Sequence, residues 1–228
     1  MNRRIFIGDV HANSEELLHV LNKLGLKETD EYVFLGDYID KGNSPIETLE
    51  ILEEISVKLP NTRFLWGNHD LMFYEWLLNQ NPVYEQTFEG QQTIKQMVGG
   101  KHPQLVKGEL FKRYEWLFNK MEFHVEFPEQ VAVHGGLIFN RPDPINDTNK
   151  YEKVNTRMFM SGNPLNKPII VGHTPQPKIM LTKDARMVNI DTGSGTGGYL
   201  SALIYFTEYD FYTDKDGYGI EVLPLKEF

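Results

Sequence analysis

The 228-residue sequence contains no cysteine, which excludes disulfides, thiolate metal sites and a cysteine nucleophile. No apolar run approaches the roughly 20 residues that cross a bilayer, and the first residues run directly into a strand-like segment. We therefore expect no membrane association and a cytoplasmic location. Acidic residues outnumber basic ones, giving a formal net charge of -9, so a long nucleic acid is not an expected partner.

The sequence does contain enough apolar residues for a large core. Hydrophobic residues make up 40% of the chain and aromatic residues 12%, and no linker, repeat or low-complexity stretch interrupts them. We predict a single domain spanning residues 1–228, with a helical insertion at about residues 79–126. Nothing in the composition predicts an oligomeric state.

Strand-like and helix-like segments alternate in the first third of the chain. The strand-like runs are residues 4–7, 32–35 and 63–66. The helices that follow are expected to begin near Ser14, at Pro45 and near Leu71. Ser44 and Glu47 have the form of a capping box before the second helix. Strands that alternate with helices indicate a parallel sheet, and hence the α/β fold class.

The second half of the chain has a different pattern. Residues 79–126 combine polar stretches with a Gly99-Gly100 pair and a helix-like run over residues 110–118. From Gln130 onward, strand-like runs follow one another with little helix between them, which favours a second sheet packed on the first. The expected strands are residues 131–133, 169–171, 187–190, 200–206 and 209–212.

Five short polar clusters stand where apolar runs end. They are residues 8–11 (Gly-Asp-Val-His), 36–42 (Gly-Asp-Tyr-Ile-Asp-Lys-Gly), 67–70 (Gly-Asn-His-Asp), 134–136 (His-Gly-Gly) and 172–175 (Gly-His-Thr-Pro). Because loops at the carboxyl ends of parallel strands converge on one edge of a sheet, we expect these clusters to form one site. Their oxygen and imidazole donors are those that divalent metals choose. The sequence therefore predicts a two-metal hydrolase.

The spacing within the clusters also fits metal binding. Asp9 and His11 are two residues apart, so in extended backbone they point to the same side and can share an ion. Asp37 has two carboxylate oxygens and can bridge two ions. A pair of divalent ions about 3.5–4 Å apart suits phosphate-ester hydrolysis, since it polarises a phosphoryl oxygen and generates hydroxide. The candidate metal ligands are Asp9, His11, Asp37, Asn68, His134 and His173.

The ordered set of clusters resembles the calcineurin-like metallophosphoesterase superfamily, and within it the bacterial phosphoprotein phosphatase (serine/threonine protein phosphatase) family. The resemblance spans residues 8 to about 200. It implies an α/β/β/α sandwich of two mixed sheets flanked by helices. It also implies two divalent ions, manganese first, with iron or zinc as alternatives. By matching position, one ion is held by Asp9, His11 and Asp37, and the other by Asp37, Asn68, His134 and His173.

The resemblance implies further roles at the substrate. His69 corresponds to the general acid that protonates the leaving oxygen, while hydroxide generated by the metals attacks phosphorus in line. Asp40 corresponds to the carboxylate that orients His69 and raises its pKa. Lys41 lies where the family usually has an arginine. An arginine binds phosphate through two parallel hydrogen bonds, whereas lysine offers only a point charge. Arg157 corresponds to a second phosphate-binding arginine, and Asn68 is expected at the phosphate as well.

The expected substrate is phosphoserine or phosphothreonine in a protein, with phosphotyrosine or a small phosphoester also accepted. The alternative is symmetrical hydrolysis of dinucleoside tetraphosphates, because that branch also has leucine after Gly-Asn-His-Asp, as in Asp70-Leu71 here. Asp40 favours the phosphatase, since the tetraphosphatase branch often lacks an acid there. Basic residues of the insertion either line a polyphosphate cleft or only solvate helices. They are Lys95, Lys101, Lys107, Lys112 and Arg113.

Two further interpretations concern the site. A non-catalytic binding module on the same scaffold would be expected to have lost metal ligands. All six ligand positions and His69 are present, which disfavours that hypothesis. Residues 191–198 (Asp-Thr-Gly-Ser-Gly-Thr-Gly-Gly) predict a tight turn near the site and not a dinucleotide-binding loop, because no helix pattern follows them.

Overall fold

The computed structural model describes residues 3–157, 163, 165–182, 186–206 and 220–222. Its first third contains three strand–helix units, as the sequence predicts. They are β1 (Arg3–Ile7) with α1 (Ser14–Leu24), β2 (Glu31–Phe34) with α2 (Pro45–Lys58), and β3 (Thr62–Leu65) with α3 (Asn68–Leu77). The third helix begins three residues before the predicted Leu71, so the Gly-Asn-His-Asp cluster forms its first turn.

Local contacts set where the first helices begin. Asn13 caps α1, because its side chain accepts a hydrogen bond from Glu16 N at 3.3 Å. Pro45 occupies the first turn of α2, where its missing N–H costs no hydrogen bond. The predicted Ser44 capping box is wrong. The Ser44 hydroxyl donates instead to the carbonyl of Ala12 at 2.7 Å, which ties the start of α2 to the loop after β1.

The strands form two mixed sheets. The remaining strands are β4 (Met121–Glu122), β5 (Val125–Glu126), β6 (Val131–Ala132), β7 (Ile169–Val171), β8 (Met180–Leu181), β9 (Met187–Asn189), β10 (Ala202–Phe206) and β11 (Ile220–Val222). One sheet has the order β11-β10-β1-β2-β3-β4, with β1 to β4 parallel, and the other has the order β5-β6-β7-β9-β8, with β6, β7 and β9 parallel. The strand predicted at residues 209–212 lies outside the described residues.

Alternating side chains on β1 divide the core between two layers. Phe6 packs between the sheets, in a cluster that includes Ile170 of the second sheet. Ile5 and Ile7 point to the opposite face and pack in a cluster that includes Leu52 of α2. The molecule is therefore a pair of packed mixed sheets flanked by helices, as predicted.

Residues 79–126, called the 79–126 segment below, contain helices that pack on α2 and α3. They comprise a 3-10 turn (Tyr84–Gln86), α4 (Phe88–Met97) and α5 (Pro103–Phe118), and β4 and β5 follow. The rings of Tyr74 on α3 and Phe118 on α5 lie 5.0 Å apart between centroids. A short helix, α6 (Lys150–Asn155), lies among the described residues of the second half. In the part of the chain that the structure describes, no helix combines the length and apolar character needed to cross a membrane.

Candidate metal centre

The loops after β1, β2, β3, β6 and β7 meet, and they carry the five polar clusters of the sequence. His11 N donates a hydrogen bond to Asp37 O at 2.8 Å, which joins the first two loops of one sheet. His173 N donates to the Asp9 carboxylate at 3.0 Å, which joins this sheet to the other. The structure thus brings the six predicted metal ligands to one place.

Asp37 lies between two histidines from different sheets. Its Oδ2 lies 3.5 Å from His11 Nε2, and its Oδ1 lies 3.5 Å from His134 Nε2. Oδ1 also accepts a hydrogen bond from His69 N at 3.0 Å. Because each carboxylate oxygen faces a different histidine, the side chain is placed as a bridge between two ions would be.

Two groups of ligand atoms surround this carboxylate. In the first, atoms of His11, Asp37 and His69 lie within 4.8 Å of one another, and Asp9 Oδ2 lies 4.0 Å from His11 Nε2. The second consists of Asp37, His134 and His173, also within 4.8 Å. Asn68 joins this second group, since its Oδ1 lies 3.1 Å from His134 Nε2 and 2.8 Å from His173 Nδ1.

Backbone carbonyls orient two of the imidazole rings. His11 Nδ1 lies 3.1 Å from Ile39 O, and His134 Nδ1 lies 2.8 Å from Leu35 O. A carbonyl only accepts, so each Nδ1 carries the proton and the lone pair is on Nε2. Both Nε2 atoms face Asp37, which is the orientation that a metal ligand needs.

The three predicted histidine ligands, His11, His134 and His173, are neutral at physiological pH. Burial lowers the pKa of His11 to about 3 and that of His173 to about 4. Burial also lowers the pKa of His134. Neutral imidazole is the form that binds a metal ion.

The carboxylates of the centre crowd one another. Burial raises the pKa of Asp9, and the charges of Asp191 and Asp37 raise it further. Oδ2 of Asp191 is buried and accepts no hydrogen bond from the described residues. A divalent cation would relieve the repulsion and neutralise these charges, so the residues present fit the metal ions that the resemblance implies.

Strained backbone is concentrated in these loops. Five residues have φ values between 49° and 67°, in the left-handed region that residues other than glycine rarely adopt. They are His11, Asp37, Asp40, Lys41 and His173. Such residues persist where surrounding contacts hold them, and they cluster at functional sites. The loops therefore hold His11, Asp37 and His173, whereas Asn68 is held by the first turn of α3.

His69 and Asp40 form a pair beside the metal ligands. His69 Nδ1 lies 2.7 Å from Asp40 Oδ2, so Nε2 is left free to face the site. Burial by itself would lower the pKa of His69, but the charges of Asp37 and Asp40 outweigh it and raise the pKa above its usual value. The His69 side chain keeps 14% of its surface exposed, which leaves it accessible to a substrate.

The two predicted phosphate-binding cations lie on different sides of the site. Lys41 Nζ lies 2.7 Å from His11 Nε2, so its charge is inside the ligand cluster. Arg157 is exposed, and its charge contributes to the lowered pKa of His173. Both cations are therefore close to the predicted ligands, Lys41 at the first group and Arg157 at the second.

Sequence reasoning missed four residues that act on the site. In the sequence, Asp70 is only the last residue of the Gly-Asn-His-Asp cluster, yet in the fold it accepts a hydrogen bond from Asp37 N at 2.7 Å. Asp191 directly follows the apolar run of residues 187–190, just as the five polar clusters follow apolar runs. This position could have marked it as a residue of the site. No local pattern marks Tyr84 and Thr93, whose hydroxyls reach Asp40 from the 79–126 segment.

Comparison with known families agrees with this geometry. Residues 3–203 match the family described as calcineurin-like phosphoesterase. The chain belongs to this family. Its predicted membership of the metallophosphoesterase superfamily and its predicted class, a phosphoric ester hydrolase, are confirmed.

Individual relatives differ in substrate. The chain is 26% identical to the bis(5'-nucleosyl)-tetraphosphatase PrpE (asymmetrical) of Halalkalibacterium halodurans, over 90% of this chain and 90% of that protein. Its fold is similar to that of a candidate diadenosine tetraphosphatase, with a TM-score of 0.65 and 17% sequence identity. This match covers 97% of this chain and 93% of that one. It is also similar to a protein serine/threonine phosphatase from Saccharomyces cerevisiae, with a TM-score of 0.63 and 14% identity over 99% and 81%. The predicted sandwich is confirmed, whereas the phosphoprotein phosphatase subfamily is not.

Proposed function

We propose that this chain is a two-metal phosphomonoesterase that acts on phosphoserine and phosphothreonine in proteins. Asp37 would be shared by both ions, which are proposed to be manganese first, with iron or zinc as alternatives; in support, each of its oxygens faces a different histidine. When bound, the ions supply a hydroxide nucleophile at neutral pH and offset the charge of the phosphoryl oxygens. The proposed ligands are Asp9, His11, Asp37, Asn68, His134 and His173.

His69 is the proposed proton donor. The Asp40 carboxylate holds Nδ1, so the proton on Nε2 is directed toward the leaving oxygen. Transfer of that proton neutralises the alkoxide as the P–O bond breaks. Asp40, which is fully buried, balances the charge of the imidazolium before the transfer and keeps the ring oriented after it.

Lys41 and Arg157 are the proposed contacts to the phosphate. The ammonium of Lys41 reaches the first ligand group and offers one point charge. Arg157 lies near His173 at the surface, where its guanidinium can donate two parallel hydrogen bonds. Asn68 lies between His134 and His173 and is proposed to touch the phosphate as well as an ion.

The observation that carries the substrate class is the oriented pair of His69 and Asp40. A serine alkoxide is a strong base, so it leaves only when a proton is supplied. A phosphate group that leaves a polyphosphate is a far weaker base, with a second pKa of about 6, and needs little protonation at neutral pH. A histidine held by a buried carboxylate therefore suits a phosphomonoester with an alcohol leaving group.

Hydrolysis of a dinucleoside tetraphosphate is the second candidate, and the relatives favour it. A relative that is 26% identical over 90% of this chain has that activity in its name, in the asymmetrical form. Asymmetrical cleavage by this chain would release a nucleoside monophosphate and a triphosphate, whereas the symmetrical cleavage considered from the sequence would release two diphosphates.

The basic residues of the 79–126 segment give this second candidate little support. Arg113 pairs with Glu53 at 2.6 Å, and Lys101 pairs with Glu109 at 3.2 Å. Lys107 lies with its ammonium 4.3 Å from the centre of the Trp76 ring. These three cations have local partners on the segment or on α2 and α3, as expected for residues that solvate or brace helices.

A single comparison of substrates tests the proposal. The protein is stripped of metal, supplied with manganese, and assayed on phosphoserine, phosphothreonine and phosphotyrosine peptides and on diadenosine tetraphosphate. We expect kcat/KM to favour the first two peptides over diadenosine tetraphosphate by about a hundredfold, which is a difference of about 2.8 kcal/mol in transition-state binding. The His69→Asn protein, purified in parallel, controls for a contaminating phosphatase.

Three results would overturn the proposal in different ways. A hundredfold preference for diadenosine tetraphosphate would select the second candidate, and chromatography of its products would distinguish asymmetrical from symmetrical cleavage. A preference for the phosphotyrosine peptide would replace phosphoserine and phosphothreonine with phosphotyrosine as the substrate in proteins. No manganese-dependent turnover of any substrate would contradict the two-metal mechanism itself.

A further inference from the structure

The Asp40 carboxylate is held at both of its oxygens. Tyr84 Oη donates a hydrogen bond to Asp40 Oδ1 at 2.6 Å, and Thr93 Oγ1 donates to the same oxygen at 2.5 Å. The other oxygen, Oδ2, faces His69 Nδ1 at 2.7 Å. Asp40, Tyr84 and Thr93 have at most 1% of their surface exposed. The two hydroxyls therefore fix the rotation of the carboxylate about its last side-chain bond.

Both hydroxyls come from the 79–126 segment, which holds them firmly. The Tyr84 ring packs against Phe73 of α3, with centroids 5.9 Å apart. Thr93 lies on α4, and Thr87 caps this helix by accepting from Gly90 N at 3.0 Å while donating to Tyr84 O at 2.8 Å. A Cβ on Gly90 would lie 2.2 Å from Tyr84 O, so the turn and the helix are in direct backbone contact.

We propose that Tyr84 and Thr93 are positioning residues for proton transfer, which act on His69 through Asp40. This inference rests on the proposed role of His69 as proton donor. With Oδ1 held by two hydroxyls, Oδ2 has one place in which to meet Nδ1, and the ring keeps Nε2 toward the leaving oxygen. The 79–126 segment is then part of the catalytic apparatus and not only a cover for α2 and α3.

A purely structural role for these hydroxyls predicts a different pattern of losses. Weakened proton donation slows the hydrolysis of a phosphomonoester with a poor leaving group and spares one with a good leaving group. Loss of stability or of metal lowers both rates together. The ratio of kcat on phenyl phosphate to kcat on 4-nitrophenyl phosphate separates the two roles and is called the leaving-group ratio below.

The decisive variants are Tyr84→Phe and Thr93→Val, which remove one hydroxyl each at nearly constant shape. We expect each to lower the leaving-group ratio by roughly tenfold, part of the 10²–10⁴ that a general acid contributes, with KM and bound manganese unchanged. Thr93→Ser keeps the donor and should keep the ratio. If Tyr84→Phe does not fold, the Thr93→Val and Thr93→Ser pair still decides the question.

Tyr32→Phe is the matched control for loss of a buried tyrosine hydroxyl. Tyr32 Oη donates to Lys27 O at 3.1 Å and accepts from Lys27 N at 2.8 Å, away from the site. This variant should lower the melting temperature and leave the leaving-group ratio unchanged. A ratio that falls in Tyr32→Phe as much as in Tyr84→Phe would assign the effect to stability and overturn the inference.

Combining Tyr84→Phe or Thr93→Val with His69→Asn separates this inference from the proposal that His69 is the proton donor. With the donor gone, Tyr84→Phe and Thr93→Val should cause no further change in the ratio. A ratio in His69→Asn equal to that of the unaltered protein would overturn the role of His69, and this inference with it. A reduced ratio in His69→Asn, together with an unchanged ratio in both hydroxyl variants, would overturn only the inference.

Discussion

The carboxylate of Asp70 accepts a hydrogen bond from the backbone N–H of Asp37 at 2.7 Å. It also accepts from Tyr38 N at 2.9 Å and from Gly67 N at 3.0 Å. Asp70 is buried in the first turn of α3, and its two carboxyl oxygens satisfy three backbone donors of two loops. The position of Asp37, the proposed bridge, therefore depends on a residue of the next polar cluster.

We expect Asp70→Asn to lower the free energy of unfolding by about 2 kcal/mol and to weaken manganese binding. An amide has a single acceptor oxygen, so at least one of the three N–H groups would face an NH2 group inside the protein. Urea unfolding and calorimetric titration with manganese measure the two effects. Glu75→Gln, at another buried carboxylate of α3, should lower stability alone. Unaltered manganese affinity in Asp70→Asn would contradict the role given to Asp70.

Gly36→Ala should unfold the protein or lower its free energy of unfolding by more than about 3 kcal/mol. Gly36 has a φ of 103°, and a Cβ there would lie 2.5 Å from Gly67 N. Gly108→Ala is the control, because no atom lies within 4 Å of its Cβ and it is exposed in α5. That change should raise stability by about 0.5–1 kcal/mol. Thermal unfolding measures both, and a stable Gly36→Ala protein would show that the two loops can separate.

Asp37→Ala should reduce bound manganese from two ions per chain to at most one. Removing the carboxylate takes a ligand from both groups at once, because its two oxygens face His11 and His134. Elemental analysis after equilibrium dialysis gives the stoichiometry. Asp143→Ala, at an exposed carboxylate, should still bind two ions. Two bound ions in Asp37→Ala would exclude the bridging role.

His69→Asn should lower kcat on phenyl phosphate by roughly 10²–10⁴ and kcat on 4-nitrophenyl phosphate by much less. The good leaving group departs without a proton, so only the poor one depends on the imidazole. Bound manganese should stay at the level of the unaltered protein. Equal losses on both substrates would show that His69 is not the proton donor.

Lys41→Arg and Lys41→Met should change KM in opposite directions. Arginine offers two parallel hydrogen bonds to phosphate and lowers KM, whereas methionine removes the charge and raises it. Lys41→Met should also tighten manganese binding, because the ammonium then no longer competes for the lone pair of His11 Nε2. Lys58→Met, at an exposed position, is the control. An unchanged KM in both variants would place Lys41 outside the substrate site.

Local patterns predicted most of the first sheet. Each of β1, β2 and β3 contains apolar residues that continue to within two residues of a glycine, and Pro45 marks the start of α2. The Ser44 capping box failed because Ser44 had a competing acceptor, the carbonyl of Ala12. That carbonyl belongs to a loop 32 residues earlier in the chain, and no pattern around Ser44 refers to it.

The identities and order of the residues in the five polar clusters were enough to predict a metallophosphoesterase. Metal ligands must be particular oxygen and nitrogen donors, and here they follow the ends of strands. Tertiary structure decided what surrounds them. Tyr84 and Thr93 reach Asp40 from 44 and 53 residues away, and Asp70 reaches Asp37 from 33 away. A hydrogen bond depends on distances of a few tenths of an ångström, which follow from how helices pack and not from spacing along the chain.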